Sequence, residues 1–307
     1  MSARQMMNWI AAGLVSAFFL GFYDVFKKRS VKGNAVIPVL FASVVGGALV
    51  WLPWIVMSFR EGVEFPHRFL IVDRLSVEQH LLVFLKSVIV GTSWVLSYFA
   101  LKNLPISLAA GIRATSPVWT LTGAILLFGE SPNGLQWTGI VTTLFFFSLF
   151  SLAGRKEGVI FHRNVWVGLM ILATLVGAGS SLFDKYLLSS LGFRPSTLQA
   201  YFSLYLVLFM APFLVGWKFR WWPRGEFEWR WSIPLIALCL LFADFVYFSA
   251  LTDPDAMISI LACLRRASAL VAFGAGYLIF KEGNFRAKTP CLVGILAGIV
   301  LVVVGTS

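Results

Sequence analysis

Charge is scarce in this sequence. Of its 307 residues only 13% are Asp, Glu, Lys or Arg, about half the roughly 25% of ordinary soluble domains. Acids are scarcer still, 14 against 25 Lys and Arg. A soluble fold this poor in charge could not keep its surface wet. Cysteine is nearly absent too. Cys239, Cys263 and Cys291 each sit in an apolar run, with no CxxC and no metal spacing. That excludes a disulfide scaffold, and the three read as small buried apolar residues. The three histidines, His67, His80 and His162, form no HExxH pair, so no metal centre is expected. There is no Walker motif and no GxGxxG opening a helix, so neither a cofactor nor ATP coupling within the chain is expected.

Apolar residues fill the gap. They make up 59% of the chain, against roughly 45–50% in soluble domains, and the mean hydropathy is +0.84. A spanning helix needs about 20 mostly apolar residues. Ten stretches qualify: Asn8–Phe26, Ile37–Phe59, Leu81–Leu101, Ile106–Phe128, Leu135–Ala153, Val165–Leu188, Leu198–Trp217, Trp231–Leu251, Ala256–Phe280 and the shorter Cys291–Val304. Turn chemistry separates several of them, at Asn103–Pro105, Ser131–Gly134 and Asp253–Asp255. A membrane barrel would show alternating segments of about ten residues, and these runs are too long for that. The fold class expected is an all-α integral membrane protein with ten transmembrane helices.

Orientation follows from the loops. Only Arg4 precedes the first run, and Lys27, Lys28 and Arg29 follow it. This is the reverse of a cleavable signal peptide. One side of a ten-span chain carries fifteen loop Lys and Arg, the other five. The excess belongs in the cytoplasm, which places both termini outside it. The charge is spread over short loops, so a nucleic-acid partner is not expected.

The chain also repeats itself. Set against Ile258–Glu282 at an offset of 152, Ile106–Glu130 matches at eight of 25 positions. Arg113 falls on Arg265, Ser107 on Ser259 and Glu130 on Glu282. A second echo pairs Phe22–Asp24 with Leu182–Asp184. Helix 4 thus corresponds to helix 9, and helix 1 to helix 6. The unit is five helices, residues 1–154 and 155–307. An odd unit inserted twice enters upside down the second time. Inverted repeats accompany alternating access, with the site near the midplane between the halves.

Ten spans, two halves, and Arg113…Phe128-Gly-Glu130 echoed as Arg265-Arg266…Phe280-Lys-Glu282 resemble the EamA-type transporters of the drug/metabolite transporter superfamily. The resemblance implies a central cavity lined mainly by helices 1, 3, 4, 6, 8 and 9, with helices 5 and 10 behind. It implies a carrier of metabolites, not an enzyme. With the absence of targeting segments it also implies a bacterial inner membrane. The expected function is a secondary-active transporter of a small polar substrate, with anions among the candidates, working in contact with membrane lipids. A homodimer is compatible with it. Two other readings stay open: a flippase for a lipid or lipid-linked carrier, and a membrane-embedded lipid enzyme. The second is disfavoured because the inner acids are scattered and no catalytic His cluster exists.

Ionisable groups inside a membrane are costly and by default functional. Arg113 lies about seven residues into helix 4, or roughly 10 Å. Arg265 lies about nine into helix 9, roughly 13 Å from the opposite face. Facing the cavity, they would bind a carboxylate or phosphate; otherwise they pair with acids between helices. Arg266 points about 100° away from Arg265. Asp244 couples protons, binds substrate, or bridges to Arg265 or Arg266. Asp24 and Asp184 hold equivalent places on opposite faces, as gates or as interfacial charges paired locally with Lys27 and Lys185. Trp94, Tyr98 and Trp119 would stack on a ring or cation, or else pack against neighbours or lipid. Lys86 is a further inner cation. Nine other tryptophans, among them Trp9, Trp51, Trp221, Trp222 and Trp231, fit an interfacial belt. Pro117 would kink helix 4, and Gly46, Gly47, Gly274 and Gly276 would mark close helix contacts.

Overall fold

The computed structural model describes all residues except 1–2, 61–63, 104–111, 114, 153–163, 222–224, 269, 272–273, 275–284 and 307. Among the described residues there are ten α-helices and no strand. They are α1 (Ala3–Val31), α2 (Val36–Ser58), α3 (Val77–Asn103), α4 (Ser116–Phe128), α5 (Gly134–Leu152), α6 (Val165–Lys185), α7 (Pro195–Lys218), α8 (Ser232–Leu251), α9 (Ile258–Leu264) and α10 (Phe285–Thr306). Six are long and apolar enough to cross a membrane: α1, α2, α3, α6 with its extension to Ser190, α7 and α8. In hydrocarbon each backbone polar group must be satisfied within the chain, which is why long apolar runs close into helices. The protein is therefore a multi-pass membrane protein.

Each of the ten expected stretches holds a helix, and six of these reach spanning length among the described residues. The start of the fourth, 106–111, and the end of the ninth, 275–280, lie outside the described residues, as do Trp222 and Gly276. Pro117 sits in the first turn of α4, where its missing N–H costs no intrahelical bond; the stretch that would carry the expected kink, 104–111 and 114, lies outside the described residues. At the other end Gly129 takes φ +67°, a conformation open to glycine and costly for residues with a Cβ. The α6 helix widens into a π turn at Tyr186–Ser190, and α9 tightens into a 3-10 turn at Arg265–Ala267. Such departures from α geometry recur at functional sites.

The helices pack in an ordered way across the two halves. α1 lies on α8, and α3 on α6; α2 touches α8, and α7 touches α3; α4 touches α6, and α1 touches α9. Each pair becomes the next when helices five apart are exchanged. α2–α7, α4–α9 and α5–α10 map onto themselves under the same exchange. The α5–α10 contact is built on glycine. A Cβ on Gly139 would come within 2.7 Å of the Gly298 carbonyl oxygen, so the two backbones touch. Gly46 and Gly47 do approach α8, at Ala237 and Leu241, whereas no described residue lies within 4 Å of a Cβ on Gly274. The belt also needs revision. Trp221 and Trp231 are exposed, but Trp9 and Trp51 are buried within the bundle.

Candidate functional site

One cavity of about 260 Å³ lies between the halves. Its walls come from α1, α3, α4, α6, α8, the α9 turn and a single residue of α7, Phe202. No described residue of α5 or α10 reaches it. Along α3 it runs from Lys86 to Tyr98, twelve residues or about 18 Å of helix rise. Lys86 and Tyr98 thus mark the two ends of the cavity along α3.

At the Lys86 end the charges are paired. Lys86 and the Asp184 carboxylate form an ion pair between α3 and α6, and both are buried. The Lys86 ammonium also lies 4.5 Å from the centre of the Phe202 ring and 5.0 Å from that of Phe248. Aromatic faces attract a cation electrostatically, so the two rings add to the hold of the carboxylate. Asp184 is thus not paired with its neighbour Lys185. On a helix, adjacent residues point about 100° apart, and Lys185 turns outward to α4 instead.

There Lys185 donates to Glu130 Oε1 at 2.6 Å and to the Ala256 carbonyl at 3.0 Å. The same Glu130 carboxylate accepts from Ile258 N at 2.7 Å, Ser259 N at 3.1 Å and Ser259 Oγ at 2.5 Å. The first N–H groups of a helix lack intrahelical partners and carry partial positive charge. A carboxylate supplied from α4 satisfies them at α9. The turn at Gly129 makes this reach possible, and the ends of α4 and α6 and the start of α9 are tied at one face.

Midway along, Arg265 donates from Nη2 to Asp244 Oδ1 at 2.9 Å. Its guanidinium carbon lies 4.1 Å from the centre of the Tyr247 ring. Arg265 is therefore committed to α8. Trp94, on the facing wall of α3, lines the same space.

The other end is different. Asp24, Lys27, Arg113 and Arg266 line it together with Tyr23 and Tyr98. Lys27 Nζ lies 5.3 Å from the Tyr23 ring centre and 4.5 Å from that of Tyr98. Asp24 and Lys27 do not form a local ion pair. Among the described residues Lys27, Arg113 and Arg266 make no ion pair within 4.0 Å. Arg266 Nε is buried without a hydrogen-bond partner among the described residues.

Of the residues singled out in the sequence, Arg113, Arg265, Arg266, Asp24, Asp184, Asp244, Trp94 and Tyr98 all border this cavity. Trp119 does not. It is 43% exposed on the outer side of α4, its Nε1 donating to Thr115 Oγ1 at 3.2 Å; Ser116 and Thr120 are the α4 residues that face inward. Lys27, Tyr23 and Tyr247 enter the site without having been expected there. Glu130 and Ser259 stand beside it, and their signal was the repeat, which preserves both letters. Among the described residues no group of His, Cys, Asp and Glu is placed to hold a metal ion.

Residues 7–152 match the model of the EamA-like transporter family. No curated protein matches the chain. Its fold resembles that of a solved structure titled only "Crystal structure of protein". The two are 13% identical, with a TM-score of 0.69 over 95% of this chain and 96% of that one.

Proposed function

From the match of residues 7–152 to the model of the EamA-like transporter family, we propose that the whole chain is a secondary-active transporter. It moves a small polar metabolite through the central cavity by alternating access. The observation that carries this is the cavity itself: eight charged side chains from six helix regions line one space between the halves. Desolvating that many charges is expensive, and a merely structural core would have no use for them.

In this reading the second half, from residue 155, is an inverted copy of the first. The exchange-related helix contacts support it, as does the aligned Arg113 and Arg265 pair. In this reading the Glu130–Lys185–Ser259 tie is the closed gate of one face. By the loop-charge count the closed face is extracytoplasmic, and the membrane is a bacterial inner membrane. Rocking of the halves about the site would break this tie and form another opposite. Energy comes from an ion gradient or from exchange of solutes.

The test is uptake by proteoliposomes holding the purified protein, with radiolabelled metabolites inside and outside. Counterflow of one solute class is expected, abolished in Arg113→Ala and in Arg265→Ala while both variants still insert. Wild-type rates in both variants would remove these residues from the site. No counterflow with any soluble class, together with accelerated lipid transfer between leaflets, would replace the reading with a lipid flippase.

A further inference from the structure

Among the described residues the charges of the cavity do not balance. Five cations and three acids line it there. Two pairs cancel, Lys86 with Asp184 and Arg265 with Asp244. What remains is Lys27, Arg113 and Arg266 against Asp24, all at one end. Like charges held together away from bulk water repel strongly, and a fold has no reason to collect them unless something of opposite sign visits.

We propose that this end of the cavity is a subsite for a phosphoryl group, and that the transported solute is a small phosphate monoester. The inference rests on the transport reading above and deepens it. A phosphate monoester carries about −1.5 to −2 near neutral pH, close to the local excess of two positive charges. Its three terminal oxygens accept donors from several directions, which suits one ammonium and two guanidinium forks brought in from α1, from the approach to α4 and from the α9 turn. The buried Arg266 Nε supplies a donor without a partner among the described residues. Ser97 and Ser116 add hydroxyls to the same lining. A dicarboxylate would want its cations at two separated places, but the cations farther along are already held by Asp184 and Asp244. The volume of about 260 Å³ falls below the usual range of roughly 300–1,000 Å³ for drug-sized ligands, so the organic part is short. Trp94, Tyr23 and Tyr98 would flank it.

The test is thermal unfolding of the full chain in detergent, titrated with glycerol phosphate, inorganic phosphate, succinate, glycerol and choline at constant ionic strength set by chloride. A ligand that binds the folded state raises the melting temperature by mass action. The expected result is a saturable rise with glycerol phosphate and with inorganic phosphate, and none with glycerol or choline. Arg113→Gln and Arg266→Gln should weaken it at least about tenfold, and Arg266→Lys should retain part of it. The exposed Arg68→Gln serves as control. A saturable rise with succinate alone, or with choline or glycerol alone, would overturn the proposal. So would full affinity in Arg113→Gln and Arg266→Gln. If a glutamine variant fails to fold, the wild-type ranking of phosphate over succinate still decides. Counterflow separates the two readings. Phosphate binding without counterflow would keep the subsite and end the transporter reading. Counterflow of a neutral or cationic solute without phosphate binding would do the reverse.

Discussion

Glu130 and Ser259 stand 129 residues apart, yet the carboxylate of one accepts both the backbone N–H and the hydroxyl of the other. This contact binds the two halves of the bundle at one face, with Lys185 as counter-ion. Removing the carboxylate in Glu130→Ala strands a buried ammonium and uncaps α9. Breaking a buried pair from one side costs about 3–5 kcal/mol, and a lost cap about 1 kcal/mol. Glu130→Gln keeps an acceptor for the α9 N–H groups and should cost less. Thermal unfolding in detergent checks the order: wild type, then Gln, then Ala. Equal stability of Gln and Ala would mean that the cap contributes nothing beyond the charge.

The Arg265–Asp244 contact at 2.9 Å calls for a cycle and not a single variant. Arg265→Gln and Asp244→Asn each leave a partner alone in the membrane interior. The double variant leaves none. We expect it to be more stable than the sum of the single effects predicts, by about 0.5–3 kcal/mol. Additive effects in the unfolding temperatures would show that the two groups are neighbours without energetic coupling.

Lys86 and Asp184 are more deeply buried, with rings on the ammonium. Lys86→Met alone should destabilise by about 3–5 kcal/mol. Lys86→Met combined with Asp184→Leu should recover most of this, because an apolar pair in a dry site is often neutral or better. If stability returns but counterflow does not, the pair is kept for transport and not for folding. If both return, the pair is dispensable.

How far the sequence reached depends on what kind of fact was asked of it. Helix positions were legible because a 20-residue apolar run has few alternatives in lipid. Counting residues also put Arg113, Arg265 and Asp244 well inside their apolar runs, and all three border the cavity. Azimuth was not legible. Which side of α4 faces inward depends on tilt and packing, so Trp119 was expected inside and stands outside. For the same reason Asp184 was offered a wrong local partner, whereas the bridge from Asp244 to Arg265 was among the readings. Asp184 and Lys185 are adjacent in sequence, but 100° of helix turn sends one to α3 and the other to α4. Glu130 was visible only as a repeated letter; its role as a cap needed the turn at Gly129 and the approach of α9.

The two tryptophans of the neighbouring helices give a direct check on azimuth. Trp94 lines the cavity and Trp119 faces away. Trp94→Ala should raise the half-saturating concentration for counterflow by about tenfold, the scale of one lost stacking contact of about 1–1.5 kcal/mol. Trp119→Ala should leave it unchanged. A larger effect from Trp119 would mean that the cavity opens on the other side of α4.

The glycine contact of α5 with α10 tests whether these helices only support the site. A methyl group on Gly139 would lie 2.6 Å from the backbone nitrogen of Val302. Backbone cannot give way as a side chain does, so the helices must part. Gly139→Ala should cost about 1–3 kcal/mol, read as a lower melting temperature. Gly168→Ala, where no described residue lies within 4 Å, should leave stability unchanged or slightly raised. Neither α5 nor α10 contributes a described residue to the cavity, so counterflow per folded molecule should survive Gly139→Ala. A selective loss of transport at unchanged stability would show that α5 and α10 slide on each other during the cycle and do more than brace it.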